Sequence, residues 1–393
     1  MKDKKFAMSF IDRIKTDPLL LFVFVGLLVI GYIIMASATL HLGTKVYDNA
    51  LYYPLRQLIH ISLGFITGIV ILMINMTYWQ KISPWLFIAG LALLVVVLIP
   101  GLGVKVNGSV RWLSLGGLRI QVSEIVKLTT VIYMAGYVTK YKESVRNSAH
   151  GLIKPLILFA FSCFLLLKEP DFGSAVVILT IALGMMFISG ARLWQFVILL
   201  FAVALLAGLL VYFSPYRMLR VISFLDPWAD PLNSGFQLTQ ALIAFGRGEW
   251  LGVGLGSGLQ KLFYLPEAHT DFLFSVLSEE LGLLGVVTVI ILYSMLVWRT
   301  FVIGLKAEKM NQDFLAFVAY GLGIWFGFQA FINMGVNMGM LPTKGLTLPL
   351  MSYGGGSMIV MCASISLLFR VNSEISEIEA NTPKGKPEWV AGL

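Results

Sequence analysis

The chain has 393 residues, of which 58% are hydrophobic and only 13% charged, with a net charge of +8 and a mean hydropathy of +0.84. So little charge cannot cover a soluble surface of this size, which leaves an all-α, polytopic membrane protein. The basic residues fall singly or in small clusters at the ends of apolar runs, not along one face with aromatics between them, so nucleic acid is set aside as a partner.

Taken in order, apolar runs long enough to span a bilayer lie near 19–38, 57–75, 82–100, 122–139, 152–167, 172–189, 193–213, 272–297, 314–338 and 350–369. The first follows a basic start and reaches Ala36-Ser37-Ala38, like a signal peptide. Its apolar stretch is too long for one and nine spans follow, so an uncleaved helix is expected. Ten helices put both termini on one side. Lys2, Lys4, Lys5, Arg13, Lys15, Lys140, Lys142, Arg146, Arg299, Lys306 and Arg370 make that side cytoplasmic. The expected organisation is a cytoplasmic segment 1–18, a membrane domain 19–369 and a cytoplasmic tail 370–393. Between helices 7 and 8 lies one long extracytoplasmic loop, 214–270, and loops of that length are usually functional.

Within the loop, Leu238 to Phe245 reads as an amphipathic helix on the membrane surface. The cluster Gly252-Val-Gly-Leu-Gly-Ser-Gly258 matches neither phosphate-loop spacing and reads as a turn. Cys163 and Cys362 sit inside apolar runs, and His41, His60, His150 and His269 lack metal-ligand spacing, so no dedicated metal site is expected.

Charge meets the membrane at the outer ends of the even-numbered helices. Glu124 and Lys127 stand three apart at the start of the fourth, Lys168 and Asp171 at the sixth, Glu267, His269, Thr270 and Asp271 at the eighth, and Lys344 and Ser352 ahead of the tenth. Helix N-termini favour anions, and Arg111, Lys127, Lys168 and Lys344 add full charges suited to a diphosphate. Each has a plain structural alternative. Asp171 can simply cap its helix, Glu124–Lys127 can be a structural pair, Lys344 can anchor a loop at the headgroups, and Tyr353-Gly-Gly-Gly-Ser357 can be a close helix contact. Asp271 stands apart. At 100° per residue Asp271, Ser275, Ser278, Gly282 and Gly285 share a stripe, which places the carboxylate at the top of a polar cleft beneath the long loop. A cap alone predicts no such stripe.

The segments Tyr264-LPEAHTDFLFSVLSEELG-Gly282, Arg111-Trp-Leu with Gln121-VSEIVK, Glu169-PDFGSA and Asn337-MGMLPTKGLTLPLMSYGGGS resemble the SEDS family (shape, elongation, division and sporulation), and its division members more than its elongation members. Gly356 stands where the family has a serine and Val122 where it has a proline. The resemblance implies a peptidoglycan glycosyltransferase that polymerises lipid II at the outer face of the bacterial cytoplasmic membrane, at the division septum. It implies a class B penicillin-binding protein, the septal transpeptidase, as partner, among other divisome membrane proteins. It also implies that Asp271, in the family's HTDF motif, is essential. The expected chemistry makes Asp271 the base for a sugar hydroxyl, with the cations on the departing diphosphate and a divalent cation (Mg or Mn) shared with that substrate as the cofactor left open. A lipid transporter and a non-catalytic scaffold are the rival classes.

Overall fold

The computed structural model describes residues 16–106, 109–115, 118–343 and 345–381. Lys344 and most of the two terminal segments therefore lie outside the described residues. Helices form at all ten apolar runs: α1 (Pro18–Tyr47), α2 (Tyr52–Met73), α3 (Met76–Leu98), α4 (Val122–Lys140), α6 (Ala149–Lys168), α7 (Phe172–Ile188), α8 (Leu193–Tyr212), α11 (Leu273–Lys309), α12 (Asp313–Asn337) and α13 (Gly355–Asn381). Short helices α5 (Lys142–Asn147), α9 (Pro215–Leu225) and α10 (Phe236–Gly248), with one π-helical turn (Gln260–Tyr264), complete the set among the described residues. Among the described residues, eight helices are long and apolar enough to cross a membrane. The other two spans are α7, which is 17 residues long, and α4, whose buried face carries Glu124, Lys127, Thr129 and Thr130.

The helices begin where chemistry lets them. Asp17 caps α1, accepting from the N–H groups of Leu19 and Leu20 at 3.1 Å ahead of Pro18, the arrangement that satisfies orphan donors and uses proline's missing N–H. Arg299 of α11 also donates to Asp17. The core is made where α11 lies along α12, α13 along α2 and α3 along α4. Small residues set these approaches: a Cβ at Gly64 would lie 2.8 Å from Cys362 Sγ, and one at Gly304 2.3 Å from the Tyr320 ring. By contrast, Phe201, Leu205, Leu206 and Leu209 of α8 are exposed, as a lipid-facing helix requires.

Three features depart from the sequence expectation. Between α3 and α4 stands an antiparallel meander of β1 (Gly103–Val106), β2 (Ser109–Leu115) and β3 (Leu118–Gln121), with Trp112 paired to Gln121 and Leu113 to Ile120. It puts Arg111 on a strand. Second, α10 buries Leu238, Thr239, Ala241 and Ala244 against α11 and does not lie only on the membrane surface. Third, α11 is broken at Gly282, whose φ of 64° and ψ of −162° suit glycine alone. A Cβ there would stand 2.3 Å from Gly252 N.

That break is braced by two acids. Glu279 accepts from the N–H groups of Leu259 (2.9 Å) and Gln260 (3.1 Å) and from Arg247 (2.8 Å). Glu280 accepts from Lys261 (2.5 Å) and from Ser37 of α1 (2.8 Å). The long loop is thus tied down beside α11, and its glycine cluster is the expected turn, with positive φ at Gly252, Gly254 and Gly256.

Candidate active site

Residues 266–272 form a strap ahead of α11. Its turn closes on the Glu267 carbonyl, which accepts from Thr270 N (3.1 Å) and Phe272 N (3.2 Å). The rest of its backbone is held by two other segments. Ser352 Oγ donates to Thr270 O at 2.6 Å, and Tyr353 N donates to His269 O at 2.9 Å. From α12, Asn333 Nδ2 and Asn337 Nδ2 both donate to Asp271 O, at 2.8 and 2.9 Å. Asn337 Oδ1 accepts from Ser275 N (3.1 Å) and Ser275 Oγ (2.7 Å), and Asn333 Nδ2 also donates to Leu346 O (2.6 Å). Four fixed donors therefore hold three consecutive carbonyls and set where the Asp271 carboxylate points.

The helix starts at Leu273, so Asp271 precedes it. Ser275 and Ser278, its supposed companions on a polar stripe, are buried, Ser275 against α12 and Ser278 donating to Ser275 O. The stripe is filled by protein and is no cleft wall.

Asp271 itself is half-buried. A Cβ at Gly345 would lie 3.3 Å from Asp271 Oδ2 and 4.0 Å from Arg111 Nη1, so carboxylate and guanidinium front the same small space. Arg111 is aimed by donating from Nε to Glu169 O (3.1 Å) and from Nη2 to Pro170 O. Burial, then the Glu267 carboxylate, pushes the Asp271 carboxyl up to about 7, against the pull of Arg111 and Arg220, with Asp171 adding to the rise. Burial lowers the His269 pKa, against the pull of the Glu267 carboxylate, and its ring sits 5.6 Å from both Tyr53 and Tyr353.

The neighbouring acids behave differently from each other. Asp171 caps α7, accepting from Ser174 N at 3.2 Å, and also accepts from Gln121 Nε2 at 3.4 Å. Glu169 is fully buried, with both carboxyl oxygens lacking a hydrogen-bond partner. Burial, aided by Asp171 and opposed by Arg111, pushes it up to about 8, so at pH 7 it is mostly the neutral acid.

The structure thus gathers Arg111, Asp171, Glu267, His269, Thr270, Asp271 and Ser352 around one strap. It does not bring in three others. Glu124 and Lys127 are sealed between α4 and α12, 2.7 Å apart, with Lys127 Nζ also 2.9 Å from Gln329 Oε1. Gln329 in turn donates to Thr347 O (2.9 Å), so this pair supports the segment beside the site without touching its open space. The pair is the structural alternative that its spacing allowed. Lys168 is exposed and lines a separate groove of about 420 Å³ with Lys105, Leu98, Ile99 and Val110. Among the described residues, no group of three or more His, Cys, Asp or Glu side chains could hold a metal.

Sequence reading missed Asn333, Asn337, Glu169 and Arg220. The two asparagines stand four apart in an apolar helix, a costly placement unless both amides are used. That was the available signal. Arg220 carried none.

A family model described as "Cell cycle protein", FTSW_RODA_SPOVE, matches residues 18–377. A protein of Methylomonas methanica named probable peptidoglycan glycosyltransferase FtsW is 61% identical over 374 residues, covering 95% of this chain and 96% of its own. One of the same name from Methylococcus capsulatus is 59% identical, over 95% and 94%. Among solved structures, a chain from work on "structural coordination of polymerization and crosslinking by a peptidoglycan synthase complex" superposes with a TM-score of 0.74 at 29% identity, over 92% of this chain and 98% of that one. The Thermus thermophilus rod shape determining protein RodA does so at 0.67 and 27% identity, over 92% and 97%.

Proposed function

We infer the function from membership: this chain belongs to the FtsW, RodA and SpoVE family of cell cycle proteins, and it is a multi-pass membrane peptidoglycan glycosyltransferase that polymerises lipid II for cell division. The observation that carries the chemistry is the Asp271 carboxyl, held by α12 amides, lifted to about 7 and fronting the same space as Arg111.

Polymerisation joins a sugar 4-hydroxyl to an anomeric carbon. The new C–O bond forms as the bond to the diphosphate breaks, with inversion, and the hydroxyl proton needs an acceptor. A carboxylate with pKa near 7 suits that task at neutral pH, worth roughly 10²–10⁴-fold when well placed. Asp271 is that base. Arg111 offers a planar fork to the departing diphosphate, and Lys168, in the groove that Pro170 also lines, adds charge along its path. His269, Thr270, Glu267 and Ser352 position the strap: Thr270 Oγ1 donates to Glu267 Oε2, Ser352 Oγ donates to Thr270 O, and the His269 ring lies against Tyr353. Any divalent cation comes with the diphosphate, because among the described residues no three acids are grouped closely enough for a cage.

On this reading the enzyme works at the outer face of the cytoplasmic membrane at the septum, with both termini cytoplasmic and a class B penicillin-binding protein crosslinking its product. The test is gel analysis of labelled lipid II incubated with purified protein, alone and with that partner, beside Asp271→Asn. Long glycan from the wild type and none from the variant is expected. Normal glycan from the variant removes Asp271 as base, and no glycan from the wild type with its partner removes the polymerase.

A further inference from the structure

We propose that the cavity between α9, α10 and the segments flanking Asp271 is a saccharide subsite, holding the sugar head of the chain whose hydroxyl attacks. This deepens the polymerase reading and rests on it.

The cavity has a volume of about 350 Å³, within the range of small-ligand sites, roughly 300–1,000 Å³. Its wall includes Arg220 and Ser223 of α9, Phe236 and Gln237 of α10, Pro266 of the strap and Thr343. The last two come from the segments that flank Asp271: Pro266 lies on its strap, and Thr343 precedes Gly345, which faces its carboxylate. Arg220 closes the side between them by donating to Thr343 O at 3.1 Å, and its charge is felt at Asp271.

The lining is the argument for the ligand's class. Three hydroxyls and two primary amides, Asn233 and Gln237, stand beside apolar faces from Phe236 and Pro266, and Arg220 is the one charged side chain on the wall among the described residues. Gln237 makes no side-chain hydrogen bond to any described residue. A neutral polyhydroxylated ring with an N-acetyl group matches donors and acceptors of this kind, whereas a diphosphate demands several cations. The groove with Lys105 and Lys168 shows the contrast: two cations above apolar walls from Leu98, Ile99 and Val110. Arg111 connects that side, since it donates to Pro170 O and Pro170 lines the groove. Asp271 thus lies between a basic, apolar groove fit for a lipid diphosphate and a polar cavity with a single arginine, fit for a sugar. Two substrates approaching one base from different sides is what a displacement between two sugars requires.

The test uses full-length protein in nanodiscs and two readouts. The first is steady-state polymerisation of lipid II by Gln237→Leu. Its KM is expected to rise about tenfold with kcat within threefold, the loss of about one net hydrogen bond to substrate. The second is binding of the lipid-free disaccharide-pentapeptide, followed by saturation-transfer NMR on Asp271→Asn protein, which separates binding from turnover. That protein is expected to bind the soluble saccharide. Adding Gln237→Leu, or Ser223→Trp to fill the cavity, is expected to remove the signal while the melting temperature shows that the fold persists. Unchanged KM in Gln237→Leu, or saccharide binding undisturbed by Ser223→Trp, overturns the subsite. Failure of the function reading is distinct: it appears as no glycan from the wild type even with its partner present, whatever the cavity variants do.

Discussion

Asn337→Ala tests whether α12 aims the base. The substitution removes five hydrogen bonds: from Ser275 N and Oγ to Oδ1, and from Nδ2 to Asp271 O, Asn333 O and, at 3.4 Å, Asn333 Oδ1. Two of those groups keep another partner, because Asp271 O still accepts from Asn333 and Ser275 N still donates to Phe272 O. At about 1 kcal/mol per net bond, plus a small cavity, the fold loses roughly 2–3 kcal/mol. The larger effect is on geometry, since a displacement of about 1 Å at a reacting group costs on the order of 100-fold in rate. The expected result is kcat reduced about 100-fold in lipid II polymerisation, with KM nearly unchanged. Ser275→Ala is the control: it loses one of the same bonds but leaves Asp271 O doubly held, so it is expected to lower the melting temperature and keep kcat within threefold. Full polymerisation by Asn337→Ala, or an equal rate loss in Ser275→Ala, would refute the positioning argument.

Below its pKa Asp271 is protonated and cannot take the hydroxyl proton, so kcat/KM is expected to fall as pH drops, with an acid limb near 7. Glu267→Gln removes the second cause of the raised pKa and should move that limb to lower pH; a limb that stays put assigns it to another group. Lys127→Met strands Glu124 in the α4–α12 interface, at a cost of about 3–5 kcal/mol, and thermal unfolding in detergent should show it. Adding Glu124→Gln should restore most of both stability and polymerisation, whereas a stable but inactive double variant would make Lys127 a substrate contact.

The spans were legible because twenty apolar residues have few other fates, and even α7, at 17 residues, was found by its apolar run. The β-meander was not, although Val104-Lys-Val and Val110-Arg-Trp-Leu-Ser-Leu alternate and Asn107-Gly108 and Gly116-Gly117 are hairpin dipeptides. In a chain dominated by helical spans, such short alternating runs stand out little from loop. Asp271 was legible as chemistry and wrongly placed as geometry. A helical wheel assumes the helix has begun, but the Asn333 and Asn337 amides hold the Asp271 carbonyl in a strap and delay the first turn to Leu273. Lys127 and Lys168 both carried the right charge near a helix end. Whether such a side chain meets a substrate, a buried Glu124 or an outer groove depends on which helix packs beside it, and that is a tertiary fact absent from local spacing.

In the proposed mechanism, the raised pKa of Asp271 makes its strength as a base respond to occupancy. Arg111 and Arg220 pull the carboxyl down, while burial, Glu267 and Asp171 push it up. A diphosphate that takes up the Arg111 fork neutralises one of the two downward pulls and adds negative charge beside the carboxylate, so Asp271 becomes a stronger base when the donor is in place. Glu169, kept neutral beneath the same guanidinium, adds no charge of its own to this balance at pH 7. The strap's fixed backbone matters for the same reason. A carboxylate repelled by an arriving diphosphate would otherwise swing away, and the amides of α12 together with Ser352 and Tyr353 leave only its side-chain torsions free to respond. The arrangement therefore holds the proposed base still while the charges around it change with the substrate, as a transfer between two lipid-linked sugars needs.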